Sequence, residues 1–586
     1  MKTLCDWRPR QASGDSGAYQ AAALAGYEGR VRAALGSLDR IEFARRLWAK
    51  DPTLWKAEPQ HQEIARQRLG WLTVADQMAE HWPELRAVAQ EVRAAGFRHA
   101  VLLGMGGSSL CPQVLRQTFG SVPGYPDLAV LDTTDPAAIL SLERPLDLAK
   151  AIFIVSTKSG TTTETLSFYA HFYEKIQAIR GERAGESFIA ITDRGTPLEK
   201  IAQDRGFRRV FLNPPDIGGR YSALSYFGLV PAALMGLDVE MLSDRGQSMA
   251  QACGPMVPAA RSPGLWLGAI LAELARAGRD KVTFVSSPDI SAFGYWAEQL
   301  LAESTGKEGQ GLIPVQGEPL GSPAVYGHDR LFIYLRLDSD AALDAGVQAL
   351  EEAGHPVVTL RLRDPYELGG EFFRWEVATT TAGALLGINP FDEPNVQESK
   401  DNTKRVLSQY LLSGRLPEEV PAVTQGGVSL YGAAGPNGSL ASSLAAFLAQ
   451  ARPGDYLALQ AYLPPFAAHE TALQAIRLGL RDRLQVAATL GYGPRFLHST
   501  GQLHKGGPDT GLFVQITADD AQDMPIPGES YTFGLLKRAQ ALGDLEALRS
   551  KGRRVVRLHL GPDVEAGLQL FTGAIGIVAS LYNCGF

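Results

Sequence analysis

The sequence predicts an α/β protein: stacked parallel-sheet units behind a helical N-terminal region. Three observations carry this. Short apolar, β-branched runs recur from about residue 100 onward, most of them followed by a helical stretch, which is the signature of buried parallel strands. Turns rich in glycine and hydroxyl side chains stand where two of these runs end. The stretch GHPVVTLRL at 354–362 reappears without a gap as GRRVVRLHL at 552–560, which points to an internal repeat.

Residues 1–95 read as helical, with Ile64, Leu69, Leu72, Val74, Met78, Trp82 and Leu85 at helical spacing. A first α/β unit follows over 96–235. Its expected strands are Ala100–Leu103, Leu128–Leu131, Ile152–Val155, Phe188–Ile191 and Val210–Leu212. A second unit spans 236–412, opening with a helix near Val239–Ala250. Its strands are Val282–Val285, Leu331–Leu335 and Val357–Leu362, and an amphipathic helix over Val396–Leu412 closes it. Residues 413–439 are dense in Gly, Pro and Ser and read as a linker or surface excursion. A third unit, 440–586, carries strands at Tyr456–Leu459, Leu512–Ile516 and Val555–Leu560. The second and third units share more than the matched strand. Both end in an apolar helix, running to GINPF (387–391) and NCGF (583–586), and AESTGKEGQG (302–311) parallels HSTGQLHKGG (498–507). On that alignment His498 stands where Glu303 stands, so the third unit is expected to have no active site of its own.

The chain has 586 residues, 45% hydrophobic and 20% charged, with a net charge of −7. This composition is neither disordered nor membranous. The acidic balance argues against a nucleic-acid binder, which would carry a basic face. The four cysteines, Cys5, Cys111, Cys253 and Cys584, are scattered and read as free thiols of a reducing compartment. The N-terminal MKTLCDWRPRQ lacks the apolar core of a signal peptide. No stretch approaches the roughly 18 apolar residues of a membrane span. The expectation is a soluble cytoplasmic protein with no membrane partner.

Two motifs carry anion chemistry. In VLLGMGGSSL (101–110) a strand ends in glycines and serines and a helix begins. Glycines let backbone approach a ligand closely, and a helix N-terminus offers free N–H groups to an anion. A dinucleotide fingerprint would want glycine where Ser109 stands. Hydroxyls beside Gly107 and Ser108 suit a phosphate monoester better. In IVSTKSGTTTET (154–165) one hydroxyl would suffice as a helix N-cap. The denser set of Thr157, Lys158, Ser159, Thr162 and Thr165 instead reads as a phosphate nest supported by the helix dipole.

Together these motifs resemble the sugar isomerase domains of phosphosugar isomerases and of some regulators. Three more stretches narrow the resemblance to the phosphoglucose isomerase family: IGGRYSALSYFGL (217–229), EQLLAESTGK (298–307) and GINPFDEPNVQESK (387–400). All five occur in the family's order over residues 100–400. FLHSTGQLHKGGPDTGLF (496–513) resembles the isomerase half of transaldolase–isomerase fusions, although no transaldolase barrel is present. The resemblance implies two sugar isomerase domains plus a third like them. It also implies interconversion of glucose 6-phosphate and fructose 6-phosphate without a cofactor or a metal.

Roles then follow by resemblance. Glu303 matches the base that shuttles a proton between C2 and C1 through a cis-enediol(ate), and Arg220 matches the cation beside the developing charge. Gln299, one helical turn before Glu303, matches a substrate contact. Lys400 matches the lysine of ring opening. The ring-opening histidine has three candidates. His328 lies 25 residues after Glu303, roughly where compact relatives carry theirs. His498 and His504 would serve if the third unit replaces the partner subunit that donates this histidine in dimeric members, so both a monomer and a homodimer stay open. The family commonly has glutamine where this chain has Glu393, and a second carboxylate near the site would oppose ionisation of Glu303. Two other readings stay open: an isomerase that also accepts mannose 6-phosphate, and a non-catalytic sugar-phosphate sensor, which would need only the two phosphate motifs.

Overall fold

The computed structural model describes residues 19–582 except 418 and 436. Cys5, Cys584, the N-terminal MKTLCDWRPRQ and the terminal NCGF lie outside the described residues. Three sheets organise the described residues. The first is fully parallel, in the order β3-β2-β4-β5-β6, from β2 (His99–Gly104), β3 (Asp127–Leu131), β4 (Ala151–Ser156), β5 (Phe188–Asp193) and β6 (Arg209–Asn213). Its central strand β4, AIFIVS, is buried at every position, as a strand covered by helices on both faces requires.

The second sheet runs β1-β10-β9-β7-β8. Its strands are β1 (Tyr19–Ala23), β7 (Lys281–Ser286), β8 (Ile313–Val315), β9 (Arg330–Leu337) and β10 (Val357–Leu362). The N-terminal region is therefore not wholly helical. YQAAA pairs antiparallel on the edge of β10, held by tertiary pairing rather than by β-propensity.

The third sheet runs β11-β12-β16-β15-β13-β14. Its strands are β11 (Val423–Gln425), β12 (Val428–Tyr431), β13 (Tyr456–Tyr462), β14 (Ala487–Tyr492), β15 (Gly511–Thr517) and β16 (Arg554–His559). The stretch expected to be a linker thus contributes a hairpin. Gly426 and Gly427, at φ +57° and +84°, make its two-residue turn, the backbone that glycine pairs favour, and β12 extends the sheet antiparallel to β16.

The second and third sheets share one topology. In each, the first parallel strand lies between the second and third, the fourth flanks the third, and an antiparallel strand caps the fourth. This extends the repeat read at β10 and β16 to whole units. It also corrects the alignment of His498 with Glu303. Glu303 lies on the helix Phe293–Thr305, which joins the first and second parallel strands, β7 and β8. His498 lies in the connection from the second to the third, β14 to β15. In the third unit the counterpart of the Glu303 helix is Ala467–Leu484. Three shared letters, Ser-Thr-Gly, had aligned segments that the topology keeps apart.

The third unit is clamped to both others. Its segment 498–507 packs onto 302–311: Gly309 N–H donates to Gly506 O at 3.0 Å, and Gln502 donates to Gly306 O at 3.0 Å. Arg330 and Arg481 both face the buried Glu318 carboxylate, at 3.4 Å and 3.6 Å. Toward the first unit, Lys537 pairs with Asp135 at 2.7 Å and Arg495 with Asp132 at 2.7 Å. Among the described residues no helix is long and apolar enough to cross a membrane.

Candidate active site

A cavity of about 480 Å³ opens where the carboxyl ends of the first sheet's strands meet the second and third units. Open parallel sheets commonly bind ligands at this end. One wall is rich in glycine and hydroxyl groups. After β2 the chain makes a short turn, Gly106–Ser108, with Gly106 at φ +54°. A Cβ there would lie 2.8 Å from the His498 carbonyl oxygen and 3.0 Å from Gln299 Nε2, so only glycine lets these elements close up. After β4, Thr162 occupies the N-cap of the long helix Thr163–Arg180, yet its hydroxyl caps no backbone N–H. It lies 2.8 Å from the Thr157 hydroxyl instead. The helix thus begins without a side-chain cap, an arrangement that suits an anion at its N-terminus. Gly107, Ser108, Thr157, Lys158, Ser159 and Thr162 all line the cavity. Lys158 is ion-paired with Asp193 and donates to Pro215 O at 3.1 Å. Thr165 does not line it. Its hydroxyl is fully buried inside the helix, with no hydrogen-bond partner, so helix periodicity turns it away from the nest.

The opposite wall carries the carboxylate chemistry. Arg220 stands in the short turn Gly219–Tyr221 and is 4% exposed. Five contacts fix it. Nε donates to Ser304 Oγ at 2.8 Å, and Nη2 donates to the carbonyls of Pro390 (2.7 Å) and Asp392 (3.1 Å). Nη1 lies 3.1 Å from Glu303 Oε1 and 2.9 Å from Glu393 Oε2. Burial alone would weaken the charge on Arg220, but the Glu303 and Glu393 carboxylates outweigh it and hold its pKa above the usual arginine value. Glu303 is 8% exposed. Burial pushes its pKa above the ordinary carboxylate value, against the pull of Arg220 and with Glu393 adding to the rise. Gln299, one turn earlier on the same helix, donates to Glu303 Oε2 at 2.9 Å and to the His498 carbonyl at 2.7 Å. Glu308, nearby in sequence, pairs with Lys56 at 2.7 Å.

The third unit contributes His498, which lines the cavity with Lys400. His498 Nε2 lies 3.0 Å from Glu164 Oε1. Burial alone would raise Glu164, but the imidazole beside it holds its pKa below the ordinary value. Lys400, in the second turn of the helix Pro394–Ser413, has no ion-pair partner among the described residues. The other two histidines fall elsewhere. His328 lines a separate cavity with Leu448, Arg452 and Gln485. His504 is buried between Phe496 and Phe513, with its Nδ1 3.1 Å from Gln460 Nε2. Burial holds its pKa well below the ordinary histidine value.

Sequence reasoning missed Arg68 and Arg194 on the cavity rim, and Glu164. The signal for Glu164 was present, as the one acid inside the hydroxyl-rich turn. Its partner, 334 residues away, was not visible.

As a whole the arrangement can bind a phosphate at one end. At the other it can present a carboxylate with raised proton affinity beside a fixed cation, and an imidazole and an ammonium line the same cavity. Nothing in that set is redox chemistry; it moves protons.

Comparison with known proteins agrees. The family model described as phosphoglucose isomerase matches residues 72–252. A glucose-6-phosphate isomerase of Thermus thermophilus is 30% identical over 397 residues, covering 58% of this chain and 90% of that protein. One from Rubrobacter xylanophilus is 29% identical over 421 residues, covering 63% and 94%. In fold, the crystal structure of a glucose-6-phosphate isomerase from Chlamydia trachomatis superposes with a TM-score of 0.57 at 19% identity, over 69% of this chain and 90% of that one. The crystal structure of a hypothetical protein from Thermus thermophilus gives 0.55 at 26% identity, over 66% and 98%. A relative matched at 30% identity along nine-tenths of its length, with five motifs in order and their side chains gathered in one cavity, leaves one conclusion: the chain belongs to the phosphoglucose isomerase family.

Proposed function

We propose that this cavity interconverts glucose 6-phosphate and fructose 6-phosphate, the aldose–ketose step shared by glycolysis and gluconeogenesis. The observation that carries the reading is the Glu303–Arg220 pair, buried opposite a phosphate nest. The nest anchors the 6-phosphate, and its fixed position converts encounter into orientation.

Lys400 gives a proton to the ring oxygen while His498 takes the proton of the C1 hydroxyl, and the ring opens. Glu164 orients the His498 ring through the 3.0 Å contact at Nε2. Glu303 then removes the C2 proton. Its raised proton affinity suits that task, and a positioned base contributes about 10²–10⁴-fold. Charge moves onto the oxygens of an enediolate, where Arg220 stabilises it because the cation is already in place. Glu303 returns the proton to C1 while the O2 hydroxyl gives up its proton and O1 takes one, giving the ketose. No electron acceptor enters the balance.

The third unit, on this reading, supplies in cis the histidine that a partner subunit supplies in dimeric members, so one chain holds one complete site and acts as a monomer. Its second-to-third-strand connection brings His498 against Gln299 and Gly106. We place the enzyme in the cytoplasm, where sugar phosphates are metabolised.

The test is fructose 6-phosphate production from glucose 6-phosphate by the purified chain, beside Glu303→Gln. We expect Glu303→Gln to lose at least about 10³-fold in kcat while still binding a sugar phosphate. Light scattering of the active protein is expected to give the mass of one chain. A wild-type protein that binds sugar phosphates without turnover would establish a sensor instead.

A further inference from the structure

One nitrogen in the site serves two carboxylates. Arg220 Nη1 is 3.1 Å from Glu303 Oε1 and 2.9 Å from Glu393 Oε2, so those oxygens are no more than about 6 Å apart. Nothing in the fold obliges Glu393 to be there. It precedes the helix Pro394–Ser413 as its N-cap, but its side chain caps no backbone N–H. Its side chain is 38% exposed, whereas that of Arg220 is 4% exposed. The Arg220 guanidinium would remain anchored without it, through Ser304, Pro390 and Asp392. A carboxylate at this point therefore adds little to the position of Arg220. Its effect falls on the charge that Arg220 has left to offer.

We propose that Glu393 is a positioning residue that shares Arg220 with Glu303 and thereby sets the pH range over which Glu303 can accept the substrate proton. The proposal rests on Glu303 being the base.

The other groups around the pair leave this role to Glu393. Gln299 and Ser304, from the Glu303 helix, are neutral. Lys307, just beyond that helix, is buried and paired with Asp392 at 2.7 Å, and it is a cation. His61 also faces Asp392, at 3.3 Å. His498, from the third unit, is paired with Glu164 of the helix Thr163–Arg180. Lys400, in the second turn of the helix that Glu393 precedes, lines the same cavity, but as a cation it cannot supply the negative charge. The carboxylate that meets Glu303 through a common nitrogen is Glu393. At about 6 Å and an effective dielectric of about 20, one negative charge raises a neighbouring acid by about two pH units. The partial exposure of Glu393 admits solvent and ions, which reduces this to about one.

A negative charge beside Arg220 also keeps the base strong. A carboxylate held by an undivided arginine would be a weaker proton acceptor in a site whose work is proton abstraction from carbon.

The experiment is the pH profile of kcat/KM for wild type, Glu393→Gln and Glu393→Ala, with Glu303→Gln alongside. The acid limb is expected to fall by about one pH unit in both Glu393 variants, because both remove the charge, and the high-pH plateau of kcat is expected to drop a few-fold. KM should stay within about twofold. An acid limb unchanged in both variants overturns the proposal. So does a raised KM in Glu393→Ala that Glu393→Gln restores, since that pattern marks a hydrogen bond to substrate. Failure of the underlying reading is separate: it appears as retained turnover in Glu303→Gln, whatever the Glu393 variants do.

Discussion

Gly107→Ala tests how closely the phosphate turn and the arginine turn depend on each other. A Cβ on Gly107 would lie 2.9 Å from Arg220 N and closer still to the carbonyl carbon and oxygen of Gly219. All three are backbone atoms, so no side-chain rotation relieves the clash. Carbon–oxygen contacts settle near 3.3–3.6 Å, so the two turns must part by about 1 Å. Arg220 is held on its far side by Ser304, Pro390 and Asp392, so the displacement is divided between the guanidinium and the phosphate nest. A misplacement of that size in an oriented site costs about 10²-fold, and overpacking costs roughly 1–3 kcal/mol of stability. We expect kcat/KM for fructose 6-phosphate, in an assay coupled to glucose-6-phosphate dehydrogenase, to fall about 100-fold. The melting temperature should fall by only a few degrees. Gly29→Ala is the control, because nothing lies within 4 Å of its added Cβ. A Gly107→Ala enzyme within twofold of wild type would refute the reasoning.

Among the histidines, His498→Asn should lower turnover by at least about 10²-fold, and His328→Ala should leave it within twofold, since His328 lines a different cavity. Equal losses in the two, measured by the same coupled assay, would contradict the assignment of the ring-opening group. Glu376 offers a stability prediction. It is 1% exposed, neither of its oxygens has a hydrogen-bond partner, and burial raises its pKa well above the ordinary value. In the window above its unfolded value the native state holds the extra proton, so stability falls as pH rises. Glu376→Gln removes that dependence. Its advantage over wild type should be small near pH 4.5 and widen toward pH 8, by no more than about 1.4 kcal/mol per pH unit, as read by urea unfolding. An advantage that does not change with pH would show that the carboxyl is not held protonated.

The legible parts of this protein are those where local chemistry and fold coincide. β4 declared itself because a strand covered on both faces must be apolar throughout. The turns at 106–108 and 157–162 stood out by their glycines and hydroxyls at strand ends, and they line one cavity. The strands that escaped notice are held by their neighbours. β1 is YQAAA, without a β-branched residue, and exists because β10 offers an open edge. β8 is three residues, IPV, beside β7. The hairpin at 423–431 was readable from Gln-Gly-Gly-Val, since paired glycines between short apolar runs signal a two-residue turn. The density of Gly and Pro around it hid the signal. Glu164 and His498 could not be paired from sequence, because their proximity depends on three sheets being in place.

The Ser-Thr-Gly segments show where similarity along the chain misleads. Sequence alone invites the inference that both occupy the same position in a duplicated unit, with one having lost its carboxylate. Topology assigns them to different connections, and packing then sets them face to face: Leu503 lies against Gly306, and Gln502 reaches the Gly306 carbonyl. Two copies of one unit, meeting in this way, expose different connections to the shared cavity. The second unit presents the helix between its first two strands, with Glu303, while the third presents the loop after its second strand, with His498. A repeated topology can thus contribute two unlike side chains to one cavity without either unit having to hold both. That division explains why Glu303 and His498 are joined through Gln299, which donates to the side chain of one and the backbone of the other. It also makes Gln299 the contact through which a shift of the third unit would reach Glu303.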